Sequence, residues 1–146
     1  MSIVFSIIKK VLLIIAIILL CFFLIPGKNY KKQITKIVQD NQEVLQECVD
    51  TNDYERAKKI DGIEKVNYYQ SCPYTDFYCY GEGIAPSGAE YGFYYSPDDT
   101  PLGLLYASEE NLEKDEGGFS YYAPEGDDWY YTERIRKNWY YYEAHS

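Results

Sequence analysis

Between Val11 and Ile25 the chain reads VLLIIAIILLCFFLI, fifteen apolar residues without a charge. A helix of that composition is hydrophobic on every side, so it needs either a core all around it or lipid. At 1.5 Å per residue the run reaches about 22 Å, short of a hydrocarbon layer of roughly 30 Å. The flanks must supply the rest, SIVFSII with Lys9 and Lys10 before the run and Pro26 after it, the lysines snorkelling toward one headgroup layer. The expectation is therefore an uncleaved signal-anchor over residues 1–27, with the bilayer as partner through residues 11–25.

A cleaved secretory signal begins the same way, but no small-x-small motif follows the apolar run. Phe22, Phe23, Leu24, Ile25 and Pro26 crowd that position. Leu20 likewise stands before Cys21 where a lipid-attachment signal wants a small residue. A buried helix of a soluble domain is the third alternative. For orientation, Lys9 and Lys10 on one side nearly balance Lys28, Lys31 and Lys32 on the other. A short basic start before a single apolar segment favours a cytoplasmic N-terminus and an extracellular tail, hence a single-pass protein of the cell membrane.

The tail is a different material. The formal charge of −9 over 146 residues includes Lys9 and Lys10, so the remainder carries −11, which speaks against nucleic acid as a partner. Sixteen of the eighteen tyrosines lie after residue 60, and tyrosine suits both half-buried strands and binding surfaces.

Residues 28–62 read as an amphipathic helical region. Ile34, Ile37, Val38, Val44, Leu45, Cys48 and Val49 recur at spacings of three and four, which predicts one helix over 30–49 covering a sheet. Fewer than three clean heptads argue against a coiled coil. Thr51 or Asn52 can cap a second short helix over 53–60, ended by Gly62. After Gly62 the period changes. Strands are predicted over 63–70, 77–84, 91–95, 104–107, 119–123, 129–135 and 139–144, separated by turns rich in Gly, Pro and Asp. The fold class expected is α+β: a membrane helix, then an amphipathic helix packed on an antiparallel β-meander over 63–146, with 28–146 forming one domain.

Chemistry-bearing residues are few. Cys48, Cys72 and Cys79 are candidates for a disulfide in an external tail, the pairing left open, with buried free thiols as the alternative. No zinc spacing exists and the only histidine is His145. Glu109, Glu110, Glu113, Asp115 and Glu116 form an acidic run without the alternation of a calcium loop, and a solvated loop is expected there. No nucleophile elbow, phosphate loop or Cys–His arrangement is present, so the sequence implies no metal, no cofactor and no catalytic residue. Trp129, Tyr131, Trp139 and Tyr141 are the candidate binding aromatics, for a protein or a cell-wall glycan.

Two resemblances complete the reading. GFYYSPDDTPLG together with YYTERIRKNWYYYEAHS resembles segments of small, uncharacterised membrane-anchored proteins of Clostridia-type Gram-positive bacteria, which implies localisation and no particular activity. The order KKVLLIIAIILLCFFLIP, amphipathic helix, meander is similar in plan to type IV pilins. Those proteins carry a processed glycine and an early glutamate. This chain has neither: Val11 follows Lys10, and Ile15 stands where the glutamate would be. The expected function is a membrane-anchored surface accessory or interaction protein without enzymatic activity. The alternatives are a pilin-like structural subunit and a hydrolase working through carboxylates.

Overall fold

A computed structural model describes Ile14 and residues 29–68, 74–84, 87–103 and 111–146. The apolar segment 11–25, Cys72 and the strand expected over 104–107 lie outside the described residues. Among the described residues no helix is long and apolar enough to cross a membrane.

The stripe predicted as one helix forms two, α1 (Tyr30–Asp40) and α2 (Gln42–Thr51). Asn29 starts α1 in a non-helical conformation (φ −92°, ψ 77°), and its side chain accepts the Lys32 N–H at 3.0 Å. Asn41 (φ −118°, ψ 19°) divides the two helices, and both its backbone N–H and its side-chain amide donate to the Ile37 carbonyl. The backbone bond is the ordinary helical one, so the side-chain amide is an added donor to that carbonyl, and the break lies in the non-helical φ and ψ of Asn41. The break lets α2 re-aim, so that Leu45 and Cys48 are buried beside Ile34 and Val38. Asn52 ends α2 in the left-handed region at φ 54°. The second helix expected over 53–60 is only a 3-10 turn, Ala57–Lys59. Tyr54 is pulled inward there, sharing a 2.9 Å hydrogen bond with Thr75.

Among the described residues seven antiparallel strands follow: β1 (Lys65–Tyr68), β2 (Thr75–Ile84), β3 (Ser87–Tyr95), β4 (Glu113–Asp115), β5 (Gly118–Tyr122), β6 (Trp129–Arg136) and β7 (Trp139–His145). Their order across the sheet is β1-β2-β3-β7-β6-β5-β4. The chain thus makes two meanders, joined where β3 pairs with β7, in place of the single meander expected. The acidic run is not wholly a loop. Glu113, Lys114 and Asp115 pair with β5 as a fully exposed edge strand, where charged side chains deter further pairing.

Side chains alternate between two buried faces. Under the helices lie Phe77, Cys79, Phe93, Trp139 and Tyr141, packed against Ile34, Val38, Leu45 and Ala57. Phe77 and Phe93 stack across β2 and β3 with centroids 4.6 Å apart, and Trp139 tilts onto both at 5.8 and 5.9 Å. On the opposite face Tyr94, Tyr130, Tyr140, Tyr142 and Ala144 form a second core, covered by Leu102 and Leu112 of the segment between β3 and β4.

Tyrosine hydroxyls hold that covering segment down. Thr132 donates to the Tyr141 carbonyl at 2.8 Å, so the 2.8 Å bond between Thr132 and Tyr94 has Tyr94 as donor. Tyr94 in turn accepts the Leu102 N–H at 2.9 Å, and Tyr130 donates to the Leu102 carbonyl at 2.9 Å. Both backbone polar groups of a buried leucine are satisfied by rings of the sheet. Replacing Tyr94→Phe strands the Leu102 N–H and removes the donor to Thr132, and urea unfolding should show a loss of about 1–3 kcal/mol. Tyr122→Phe, at an exposed position, should stay within about 0.5 kcal/mol of the parent. Equal effects of the two changes would refute the tether.

Candidate functional site

The four aromatics singled out by sequence do not form one surface. Trp139 and Tyr141 are each only 1% exposed and belong to the helix-side core, which corrects their assignment as candidate binding residues. Alternation along β7 turns both toward α1 and α2, where the helices cover them. Trp129 and Tyr131 are half-buried on β6, and Tyr131 lies beside Lys31 at the start of α1.

What the fold assembles instead is a row of rings at one end of the sheet. The strand register places Glu82, Ala89, His145, Trp129 and Tyr122 side by side across β2, β3, β7, β6 and β5. Tyr122 stacks on Trp129 with centroids 6.4 Å apart, and Trp129 on His145 at 4.1 Å with 12° between planes. His145 meets Tyr91 edge-on at 6.0 Å. Tyr91 then contacts Tyr30 at 4.5 Å, and Tyr30 stacks on Tyr80 at 4.8 Å. Six rings therefore run from the exposed Tyr122 through Tyr30, the first residue of α1, to Tyr80, and each favourable ring pair contributes about 0.5–1.5 kcal/mol beyond its buried area.

Carboxylates interleave with these phenols. Tyr30 donates to Glu82 at 2.6 Å, Tyr141 to Glu143 at 2.7 Å, and Tyr131 to Glu133. The last two pairs repeat one local pattern, a tyrosine and a glutamate two residues apart on the same strand face. Register sets Tyr131 opposite Glu143 and Tyr141 opposite Glu133, giving a checkerboard of acids and phenols. Burial first, then the neighbouring carboxylates, pushes the Tyr131 and Tyr141 phenols up, so both remain proton donors at any physiological pH. Lys31 closes the patch, paired with Glu133 and lying 5.5 Å from the Tyr131 ring centre. These glutamates hold their own strand's tyrosines and the helix lysine, an arrangement suited to fixing α1 on the sheet.

No protein-family model, curated protein or solved structure matches this chain.

On the opposite face sits the one buried acid among the described residues. Asp76 is 9% exposed and Asn67 donates to its Oδ2 at 2.6 Å. The Tyr142 phenol lies against the carboxyl group, yet Oδ1 meets no donor in hydrogen-bonding geometry. Desolvation raises the Asp76 pKa, opposed by Asn67 and Tyr142, while Glu90 raises it further and Lys65 lowers it. A shallow groove of about 700 Å³ lies elsewhere, at the break between α1 and α2, with Ile37, Val44 and Ile60 as floor and Lys36, Asp40 and Arg56 at the rim. Among the described residues no three His, Cys, Asp or Glu side chains converge as metal ligands.

Cys48 and Cys79 are both free and buried, on α2 and β2, and do not pair with each other. Burial pushes both thiols up, so thiolate is scarce. The ring row was legible only in part. The segment 122–129 shows an aromatic at each end of a turn-rich loop, but the stacking of Trp129 on His145 depends on a register that sequence spacing left open.

Two outcomes test this description. Below the ordinary carboxyl value of about 4, Asp76 is neutral in both folded and unfolded chains; its raised folded value contributes stability that is lost as pH climbs through it. Asp76→Asn removes that titration, so the variant should gain on the parent with rising pH, by about 1–3 kcal/mol at pH 7. Parallel stability curves from pH 4 to 8 would count against it. Second, in a Cys21→Ser, Cys72→Ser background, an aromatic disulfide reagent should modify Cys48 and Cys79 only as the protein unfolds. Prompt reaction in buffer would contradict their burial.

Proposed function

We propose that this protein is a single-pass, membrane-anchored interaction module, its α+β domain held at the outer surface of the cell membrane and acting by contact rather than by catalysis. The observation that carries the reading is the junction. The apolar segment ends at Ile25, and by Tyr30 the chain is already fastened to the sheet through Glu82, Tyr80 and Tyr91. A membrane segment ending at Ile25 is followed, five residues later in sequence, by the first residue of a helix that forms one wall of the domain core. The domain is thereby presented at a fixed height, as an accessory protein requires.

The polar groups of the interior support contact over chemistry. The buried hydroxyls of Tyr94, Tyr130 and Thr132 hold backbone, and Glu133 and Glu143 hold tyrosines, so these groups are committed to the fold. The partner class is a protein or a cell-wall glycan, both of which suit partly exposed rings rimmed by acids. Asn29 leaves the helical conformation at the start of α1. A pilin-like plan wants one unbroken helix there, which makes an anchor with a separate domain the better reading.

Expression of the full chain with a C-terminal tag should leave it in the membrane pellet after alkaline carbonate extraction. Protease added to intact cells should then remove the tag. Release by carbonate would defeat the anchor, and a tag cleaved only after lysis would reverse the orientation.

A further inference from the structure

The sheet end that carries the ring row is also the end from which the chain leads back to the apolar segment. Tyr30 lies against Tyr80, Tyr91 and Glu82, at the end of β2 and the beginning of β3. Four residue steps separate Ile25 from Asn29, a reach of at most about 14 Å. Resting on the membrane-anchor reading above, we propose that this end of the sheet is a lipid-docking surface, with Tyr122 and Ile84 seated among ammonium-bearing, zwitterionic headgroups.

Three observations carry the assignment. The tether is shorter than the domain: β6 alone, eight residues at 3.3 Å, spans about 25 Å. An end fastened within about 14 Å of the hydrocarbon boundary is confined to a headgroup layer about 5–8 Å deep or the water just above it, while the turn at Lys137 and Asn138 at the far end of β6 is held farther away.

Exposure fits this placement. Ile84 is 87% exposed and Tyr122 68%, and both lie at this end, Tyr122 in the cross-strand row and Ile84 two residues beyond Glu82 on β2. Exposed aromatic rings beside a membrane segment favour the interface, where the ring rests among acyl and headgroup atoms and the hydroxyl stays wet. Trp129, half-buried behind Tyr122, extends the same apolar edge inward.

Charge selects the lipid. The loop between Tyr122 and Trp129 carries Glu125, Asp127 and Asp128. These acids repel an anionic surface and attract quaternary or primary ammonium groups, for which the rings add cation–π attraction. The first turn of α1 has no acid and holds Lys31 and Lys32, the reverse of what the helix dipole favours. Lys31 is engaged by Glu133; Lys32 is exposed and within the same layer, where a headgroup phosphate balances it. Acids facing ammonium and a lysine facing phosphate describe a zwitterionic headgroup.

The test uses the full chain reconstituted into phosphatidylcholine vesicles, with the photoreactive residue p-benzoylphenylalanine placed in separate variants at Tyr122, Ile84 and Lys137. All three positions are exposed, so the fold tolerates the probe. After illumination, lipid adducts counted by mass spectrometry should be about tenfold more abundant at Tyr122 and Ile84 than at Lys137. Replacing part of the phosphatidylcholine by phosphatidylglycerol should lower the yield at Tyr122, and a yield that does not fall overturns the choice of zwitterionic headgroups. Chains retained in the vesicles through carbonate washing, but giving no adduct at Tyr122 and Ile84 or an equal yield at Lys137, overturn the docking surface while leaving the anchor intact. Chains released by carbonate overturn both.

Discussion

The pairing of β3 with β7 is the contact on which the other layers depend. Seven residue pairs, from Ala89 opposite His145 to Tyr95 opposite Trp139, join two meanders that are otherwise linked by side-chain bonds such as Tyr94 to Thr132 and by the chain between them. Each meander alone would leave a long edge of unsatisfied backbone and half of each core without a floor. Once joined, Phe93 and Trp139 come together with Phe77 on one face, and Tyr94 stacks on Tyr140 at 5.3 Å on the other. The ladder is non-local in sequence, so its loop-closure cost must be met before either core can repay it.

Tyrosine explains how so acidic a chain buries both faces of one sheet. A leucine in the place of Tyr94 or Tyr130 would fill space, but it would leave the Leu102 backbone groups dry and unbonded under the covering segment. The phenol supplies area and a hydrogen bond at the same depth, and the order Leu102 to Tyr94 to Thr132 to Tyr141 uses each hydroxyl as both donor and acceptor. Burial pushes the Tyr94 pKa up to about 12, so that donor role holds throughout the physiological range. Asp76 departs from this pattern, since one of its oxygens lacks a donor and the fold gains nothing from its charge.

Periodicity carried much of the architecture. The stripe from Ile34 to Val49 and the alternation after Gly62 are local signals, and they mark α1, α2 and most of the strands. The break at Asn41 was legible in principle, because Val38 and Val44 stand six residues apart where an unbroken stripe would place an apolar residue between them. The strand Glu113–Asp115 was not legible: its residues have no β pattern of their own and adopt extended backbone because β5 offers a free edge. Strand order was equally hidden, since a crossover from β3 to β4 leaves no periodic trace. The misassignment of Trp139 and Tyr141 follows from the same gap, as ring content says nothing about which face the helices will cover.

The six-ring series has a mechanical consequence. Its fifth ring, Tyr30, is also the first helical residue after the apolar segment, and its hydroxyl holds Glu82 on β2. Force applied along the chain at Asn29 therefore meets ring packing and a charge-assisted hydrogen bond before it reaches the helix ladder. Lys31 and Glu133 add a second fastening one residue later, on β6 at the other side of β7. With α1 held to strands on both sides of the β3–β7 junction, the start of the domain is braced where an anchor would pull, and the residues that brace it are those that shape the exposed end.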